Sequence, residues 1–253
     1  MRALAPYQSG LWLAEYLSIR CQLCRIYRSS SQHHLTNNIP NLKKASKRLG
    51  RGLLCTHCHH SITWLPNPFL VDIAPNITLP IQAATYYDYP IRQAIRAFKH
   101  HEDMTKLAIL VHVLRQLPRP KGCHNTNSVI VPMPTTNPRL VKRGFDPVSI
   151  LSAQLSKHWD IPLWQGVERI DDTNTQQGLT RSERLSNLDN AFALTQMPPV
   201  KRLILFDDVA TTGASLQALG RTIHEQVSHF YTSALPSANN YELLAYALAH
   251  GSQ

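Results

Sequence analysis

The sequence predicts an α/β protein, a mainly parallel sheet with helices on its faces, preceded by a small module built on cysteines. Three observations carry this. From residue 81 onward, short apolar runs alternate with segments of helical periodicity, the pattern of strand–helix–strand units. Leu203–Phe206 is an apolar run that meets Asp207 and Asp208, then Thr211-Thr212-Gly213, before Leu216, Leu219, Ile223 and Val227 fall at helical spacing. Near the start, Cys21, Cys24, Cys55 and Cys58 make two Cys-x-x-Cys pairs.

The 253 residues divide into three expected parts: 1–66, a cysteine module with an insertion; 67–79, a linker; and 80–253, the α/β domain. Hydrophobic residues make up 43%, enough for a sizeable core, and 17% charged residues argue against wholesale disorder. The formal charge of +10 favours an anionic partner: a phosphorylated metabolite, nucleic acid or a membrane surface. No run approaches the roughly 18 apolar residues of a membrane span, and Met1–Pro6 lacks a signal-peptide core. The expectation is a soluble, cytoplasmic protein, so that paired cysteines read as metal ligands rather than disulfides.

In the first module, Leu11, Trp12, Ala14, Leu17 and Ile19 suggest a short helix entering Cys21-Gln22-Leu23-Cys24. Two thiolates separated by two residues can occupy two corners of a tetrahedral zinc ion, and two such pairs close a four-cysteine structural site. A module this small would depend on the metal to fold. The spacer, residues 25–54, is long for this pattern and carries Lys43, Lys44, Lys47, Arg48 and Arg51. That basic run is either a solvated loop or a nucleic-acid contact. His57 or His59 could replace a cysteine, but four cysteines suffice; the histidines read as exposed or as support around the site. Cys123 has no assigned role. Pro66, Pro68, Pro75 and Pro80 suggest the linker.

In the second part, Ile81–Tyr87 reads as a strand, and Pro90 opens a helix with Ile91, Ala94, Ile95 and Phe98 on one face. A second helix buries Met104, Leu107, Ala108, Val111 and Leu114, with His112 at its rim and Pro118 beyond its end. Ser128–Pro134 is a strand running into a loop with Arg139, Lys142 and Arg143, and Asp146-Pro147 caps the next helix. Gly166–Ile170 is a short strand. The polar stretch Asp171–Arg184 then reads as a functional lid or a disordered segment; as a lid, its Arg181 and Arg184 can bring charge onto a bound phosphate. Regular structure resumes at Asn190–Leu194. Phe230–Ala234 is expected as a last strand and Tyr241–Leu248 as a terminal helix.

The chemistry concentrates at residues 203–215. A strand, a polar loop and a helix N-terminus make an anion site, because the first helical N–H groups lack internal partners and the helix dipole favours negative charge. Thr211, Thr212 and Ser215 add hydroxyl donors. Gly213 permits positive φ or close approach to a ligand. Asp207 and Asp208 can accept hydrogen bonds from a sugar diol. The alternative is a capping Asp in an ordinary βα turn.

This stretch resembles the phosphoribosyl-diphosphate (PRPP) motif of type I phosphoribosyltransferases. The resemblance implies that Asp207 and Asp208 hold the ribose hydroxyls, and that Thr211, Thr212, Gly213 and Ser215 hold the 5′-phosphate, with Ala210 and Ala214 part of the same PRPP-binding stretch. Further segments narrow it: Tyr89-Pro90-x-Arg92-x-x-Ile95-x-x-x-Lys99, Val131-Pro132-Met133-Pro134, Lys142-Arg143-Gly144-Phe145, and Arg169 through Gln176, Gly178, Glu183 and Arg184 to Asn187. With the cysteine pairs, these make the chain similar to the ComF family of competence proteins, which join a double zinc ribbon to a phosphoribosyltransferase-like domain. Where the family continues Gly-Phe-Asn-Gln, this chain has Gly144-Phe145-Asp146-Pro147, which puts a negative charge near the expected diphosphate.

The resemblance implies a role in natural transformation and DNA uptake, with structural Zn²⁺ and with Mg²⁺ bound to PRPP. Lys99, Arg143 and Arg184 would contact the leaving diphosphate, and Gln176 and Arg181 would orient the lid. Single-stranded DNA and an uptake helicase are the implied partners. A protein that binds PRPP or DNA without turnover is the competing reading.

Overall fold

A computed structural model describes residues 20–28, 53–170, 191–232 and 241–251. The spacer's basic run, the helix expected before Cys21, and the lid residues Gln176, Arg181 and Arg184 lie outside these.

Helix α1 (Thr56–His60) belongs to the cysteine module. Then come β1 (Phe69–Ala74), β2 (Ile77–Tyr86), α2 (Ile91–His100) and α3 (Leu107–Leu114). β3 (Ser128–Pro132), α4 (Asn137–Arg143) and α5 (Pro147–Trp159) follow. β4 (Val167–Arg169) pairs antiparallel with β5 (Phe192–Leu194) as a separate ribbon. β6 (Arg202–Ala210), α6 (Ala214–Thr232) and β7 (Glu242–His250) complete the order.

The main sheet runs β1-β2-β7-β6-β3. β2, β7, β6 and β3 are parallel, and β1 joins β2 antiparallel. A mixed α/β fold with a mainly parallel sheet is therefore present as expected. Strands buried on both faces read as continuous apolar runs, and Leu203–Phe206 is 0% exposed throughout. Ile204 and Phe206 join one core with α2, α3 and α5, whereas Leu203 and Leu205 join another with α6 and the β1–β2 hairpin.

Several expectations need correction. Residues 67–79, read as a linker, carry β1 and the start of β2. Val71, Ile73 and Leu79 are buried there against α6; Pro66 and Pro68 precede the hairpin, Pro75 lies in its turn and Pro80 within β2. The expected strand Phe230–Ala234 is wrong in type, because α6 continues through Thr232. The expected terminal helix is β7, inserted between β2 and β6. Its Leu- and Ala-rich sequence favours a helix locally, but burial on both faces of a central strand overrides that preference. Arg139, Lys142 and Arg143 sit on α4 rather than in an open loop. His112 is buried, not at a rim.

Asp146 caps α5 as expected. Its carboxylate accepts from the Val148 N–H at 3.0 Å and from the Ser149 hydroxyl at 2.5 Å. The charge that departs from the ComF pattern is thus committed to a helix N-terminus, where the dipole favours it.

Candidate functional site

The parallel strands end on one edge of the sheet, where open α/β sheets bind ligands. There β6 runs on through both acids to Ala210, two residues further than the sequence suggests. Thr211–Gly213 turns the chain, and α6 begins at Ala214, its first bond being Gln217 N–H to Gly213 C=O at 2.8 Å. Thr211 is exposed, and Thr212 and Ser215 are half-buried. These hydroxyls lie beside the N-terminus of a 19-residue helix, whose Ala214 N–H donates to Thr212 Oγ1 at 3.4 Å; helix N-termini present backbone donors that suit an anion.

The two acids differ in environment. Asp208 is 3% exposed and forms an ion pair with Lys99 of α2 at 2.7 Å, with a second contact at 2.9 Å. Asp207 accepts from the Asp208 N–H at 2.8 Å. Burial first, and the neighbouring Asp208 charge second, push the Asp207 carboxyl up to about 7, while Lys99 pulls the other way. Lys99, expected on a diphosphate, is held by Asp208. Arg143 ends α4 near α2: after burial, its charge is the leading influence holding the His100 imidazole below its usual pKa, with Lys99 and Arg96 adding to it. Lys99, His100 and Arg143 thus gather near one end of α2.

Gly213 has φ +77°, and a Cβ there would lie 2.7 Å from Ile81 Cδ1, 2.9 Å from Phe69 Cε2 and 3.0 Å from Val71 Cγ1. Glycine is required here by backbone conformation and by the hairpin packed against the loop. Gly213→Ala should cost about 2–3 kcal/mol, adding left-handed strain to overpacking. Urea unfolding checks this; an unchanged midpoint would contradict the packing.

Sequence reasoning missed the other side of the loop. His250, the last residue of β7, places Nδ1 2.9 Å from the Ala210 carbonyl oxygen, and the Gly251 N–H donates to that same oxygen at 3.0 Å. The His250 ring stacks on Phe69 with centroids 4.3 Å apart, and Tyr86 lies 5.9 Å away. A Cβ on Gly251 would come within 2.8 Å of Thr211. Gln217 of α6 donates to the Asp72 carbonyl of β1 at 2.7 Å. The only sequence signal for His250 was its place at the end of a run misread as helix.

A second site lies in the cysteine module. The sulfurs of Cys21, Cys24, Cys55 and Cys58 lie within 4.8 Å of one another, and those of Cys24 and Cys55 are 3.8 Å apart. Zinc–thiolate bonds of about 2.3 Å in a tetrahedron would set sulfurs about 3.8 Å apart, whereas a disulfide needs about 2.05 Å. All five cysteines are free thiols. Backbone N–H groups of Tyr27 and Ile26 draw the Cys24 thiol down to about 6, while burial and the crowded sulfurs push Cys58 up. The four cysteines could hold a metal ion such as zinc. The rings of His57 and His59 instead contact Tyr27 at 5.2 Å and Trp64 at 4.9 Å. Trp64 donates to the His59 carbonyl and meets His112 of α3 edge-on at 6.3 Å, which seats the module on the α/β domain.

No family model matches the chain. It is 33% identical over 150 residues to Competence protein F of Haemophilus influenzae, covering 55% of this chain and 64% of that protein. It is 32% identical to DNA utilization protein YhgH of Salmonella typhi over 96 residues, 37% of this chain and 42% of the relative. YhgH of Escherichia coli matches similarly, at 32% over 98 residues. The matches thus span less than two thirds of these relatives' lengths. Among solved structures, orotate phosphoribosyltransferase from Aeropyrum pernix aligns with a TM-score of 0.34 at 15% identity, over 77% of this chain and 78% of that one. No helix among the described residues is long and apolar enough to cross a membrane.

Proposed function

We propose that this chain binds PRPP at the carboxyl edge of its sheet and serves DNA uptake in natural transformation. One arrangement carries the ligand reading: Asp207 and Asp208 lie among the last residues of β6, which ends at Ala210, just ahead of the hydroxyl-bearing turn and the N-terminus of α6. A phosphoribosyl group offers a phosphate to the turn and a diol to the acids. The competence role rests on the names of the relatives, Competence protein F and DNA utilization protein YhgH, and a cytoplasmic location goes with it.

As a phosphoribosyltransferase, the protein would need cations on the diphosphate as its bond to ribose C1 breaks. Lys99 and Arg143 are the described candidates, with Arg184 completing the set and Gln176 and Arg181 orienting it. Mg²⁺ bound with PRPP would supply further charge neutralisation. Lys99 must leave Asp208 to take part. Calorimetric titration of PRPP with and without Mg²⁺ tests binding, and diphosphate release tests turnover. Silence in both removes the proposal; binding without release leaves a sensor.

That sensor is the second reading, in which the zinc module docks single-stranded DNA or an uptake helicase. The turn between the first cysteine pair and Arg28 favours it, since Arg25, Ile26, Tyr27 and Arg28 are all exposed. Arginines beside an exposed aromatic ring suit a single strand. Affinity for an oligonucleotide should then fall with salt; binding that ignores salt speaks against it.

The raised Asp207 carboxyl yields a pH prediction. Its folded pKa, about 7, exceeds the usual 3.8, so the folded state holds the extra proton between those values. The stabilisation is fully present below pH 3.8 and is lost as pH rises through 7. Wild-type stability relative to Asp207→Asn should therefore decline over that window and level off above it. Unfolding midpoints measured across pH check this; a flat difference counts against the raised Asp207 carboxyl.

A further inference from the structure

We propose that His250 is the positioning residue of the anion-binding turn, an inference that rests on the PRPP reading above. A carbonyl oxygen only accepts hydrogen bonds. With Nδ1 2.9 Å from the Ala210 oxygen, the proton must therefore sit on Nδ1, in the neutral and the charged ring alike. Ala210 is the last residue of β6, and the next three residues form the turn. Fixing that carbonyl fixes the peptide plane through which the strand enters the turn, and hence the direction of the Thr211 N–H.

The ring itself is held. Phe69 stacks on it at 4.3 Å with planes 28° apart, and the His250 carbonyl accepts from the Tyr87 N–H at 2.5 Å. Phe69 also closes on Gly213, so one aromatic side chain braces both the histidine and the turn's last residue. The Gly251 N–H shares the Ala210 oxygen at 3.0 Å, so the strand's exit is gripped by two donors from the neighbouring strand's end. His250 touches the turn's entry rather than any ligand in this arrangement, and acts by presenting the turn's N–H groups in a fixed direction to a phosphate.

The test uses the full chain. Long-range ¹H–¹⁵N correlation of the His250 ring reports the proton position in the wild type; an Nε2–H tautomer overturns the proposal without any variant. His250→Phe keeps a stacking ring and removes the donor, whereas His250→Asn places an amide N–H near the position of Nδ1 and removes the ring. Loss of one hydrogen bond predicts up to about tenfold weaker binding of PRPP and ribose 5-phosphate by His250→Phe. Faster amide exchange of residues 211–214 should accompany it. His250→Asn should restore both to within about threefold of wild type. Wild-type affinity and exchange in His250→Phe, or no rescue by His250→Asn, would refute the role. If the wild type binds neither ligand, the PRPP reading fails by itself, and the ring tautomer and the exchange rates still judge the clamp.

Discussion

Replacing both acids, Asp207→Asn with Asp208→Asn, should weaken PRPP binding by about 100-fold or more while leaving the protein folded. Hydrogen bonds to charged groups contribute about 1.5–3 kcal/mol each, and two of them lost at one diol correspond to at least two decades of affinity. Folding should survive for a separate reason. Asp207 is already pushed toward its neutral form by burial, so a neutral amide of the same shape removes an unfavourable charge. Lys99 loses its partner at Asp208, but its side chain is 22% exposed and can turn toward water. Calorimetry gives the affinity and circular dichroism the fold. Retained affinity in a folded double variant would place the ligand elsewhere; an unfolded one would mean that the Lys99–Asp208 pair is structural.

The site was legible where its chemistry is local. Asp207 through Ser215 is a contiguous strand–turn–helix, and Asp146-Pro147 announces a helix start by itself. The cysteines were legible because metal spacing is written into Cys-x-x-Cys. What could not be read depends on partners distant in sequence. β7 looks helical until β2 and β6 enclose it, and with it His250 was lost. The first half of the hairpin, within 67–79, looked like a linker because prolines mark turns and edges alike, whereas Ile81–Tyr87 was legible as a strand; the packing of the hairpin against α6 and Gly213 makes it a wall of the candidate site. The pairing of Lys99 with Asp208 joins residues far apart in sequence, and no local signal announces which anion a lysine will choose.

Removing the metal should unsettle more than the small module. Cys21, Leu53, Leu54, Cys55 and Ile62 are buried in the same core as Phe98, Leu110 and Leu114 of α2 and α3, so the cysteine cluster is one wall of the larger domain's interior. Four cysteines within 4.8 Å of one another can all ionise only where a cation joins the sulfurs, and structural zinc contributes about 10–16 kcal/mol of apparent binding energy in small zinc modules. Part of that is spent ordering the chain, and the α/β domain keeps its second core with α6. A strong chelator, or Cys55→Ser, should therefore destabilise the whole protein by at least about 3 kcal/mol, the scale of losing a buried structural element. Zinc release, followed with a chromophoric chelator, should coincide with the fall in unfolding midpoint. Cutting the chain at residue 66 would strip the cover from α2 and α3 and leave apolar surface that favours aggregation. A change in partner binding after such a cut would then report a damaged domain as readily as a missing contact. Exposed substitutions such as Tyr27→Ala and Arg25→Ala, which leave the sulfurs in place, separate docking from folding. A chelated protein with an unchanged midpoint would show that the four cysteines hold no structural metal and that the shared core stands without one.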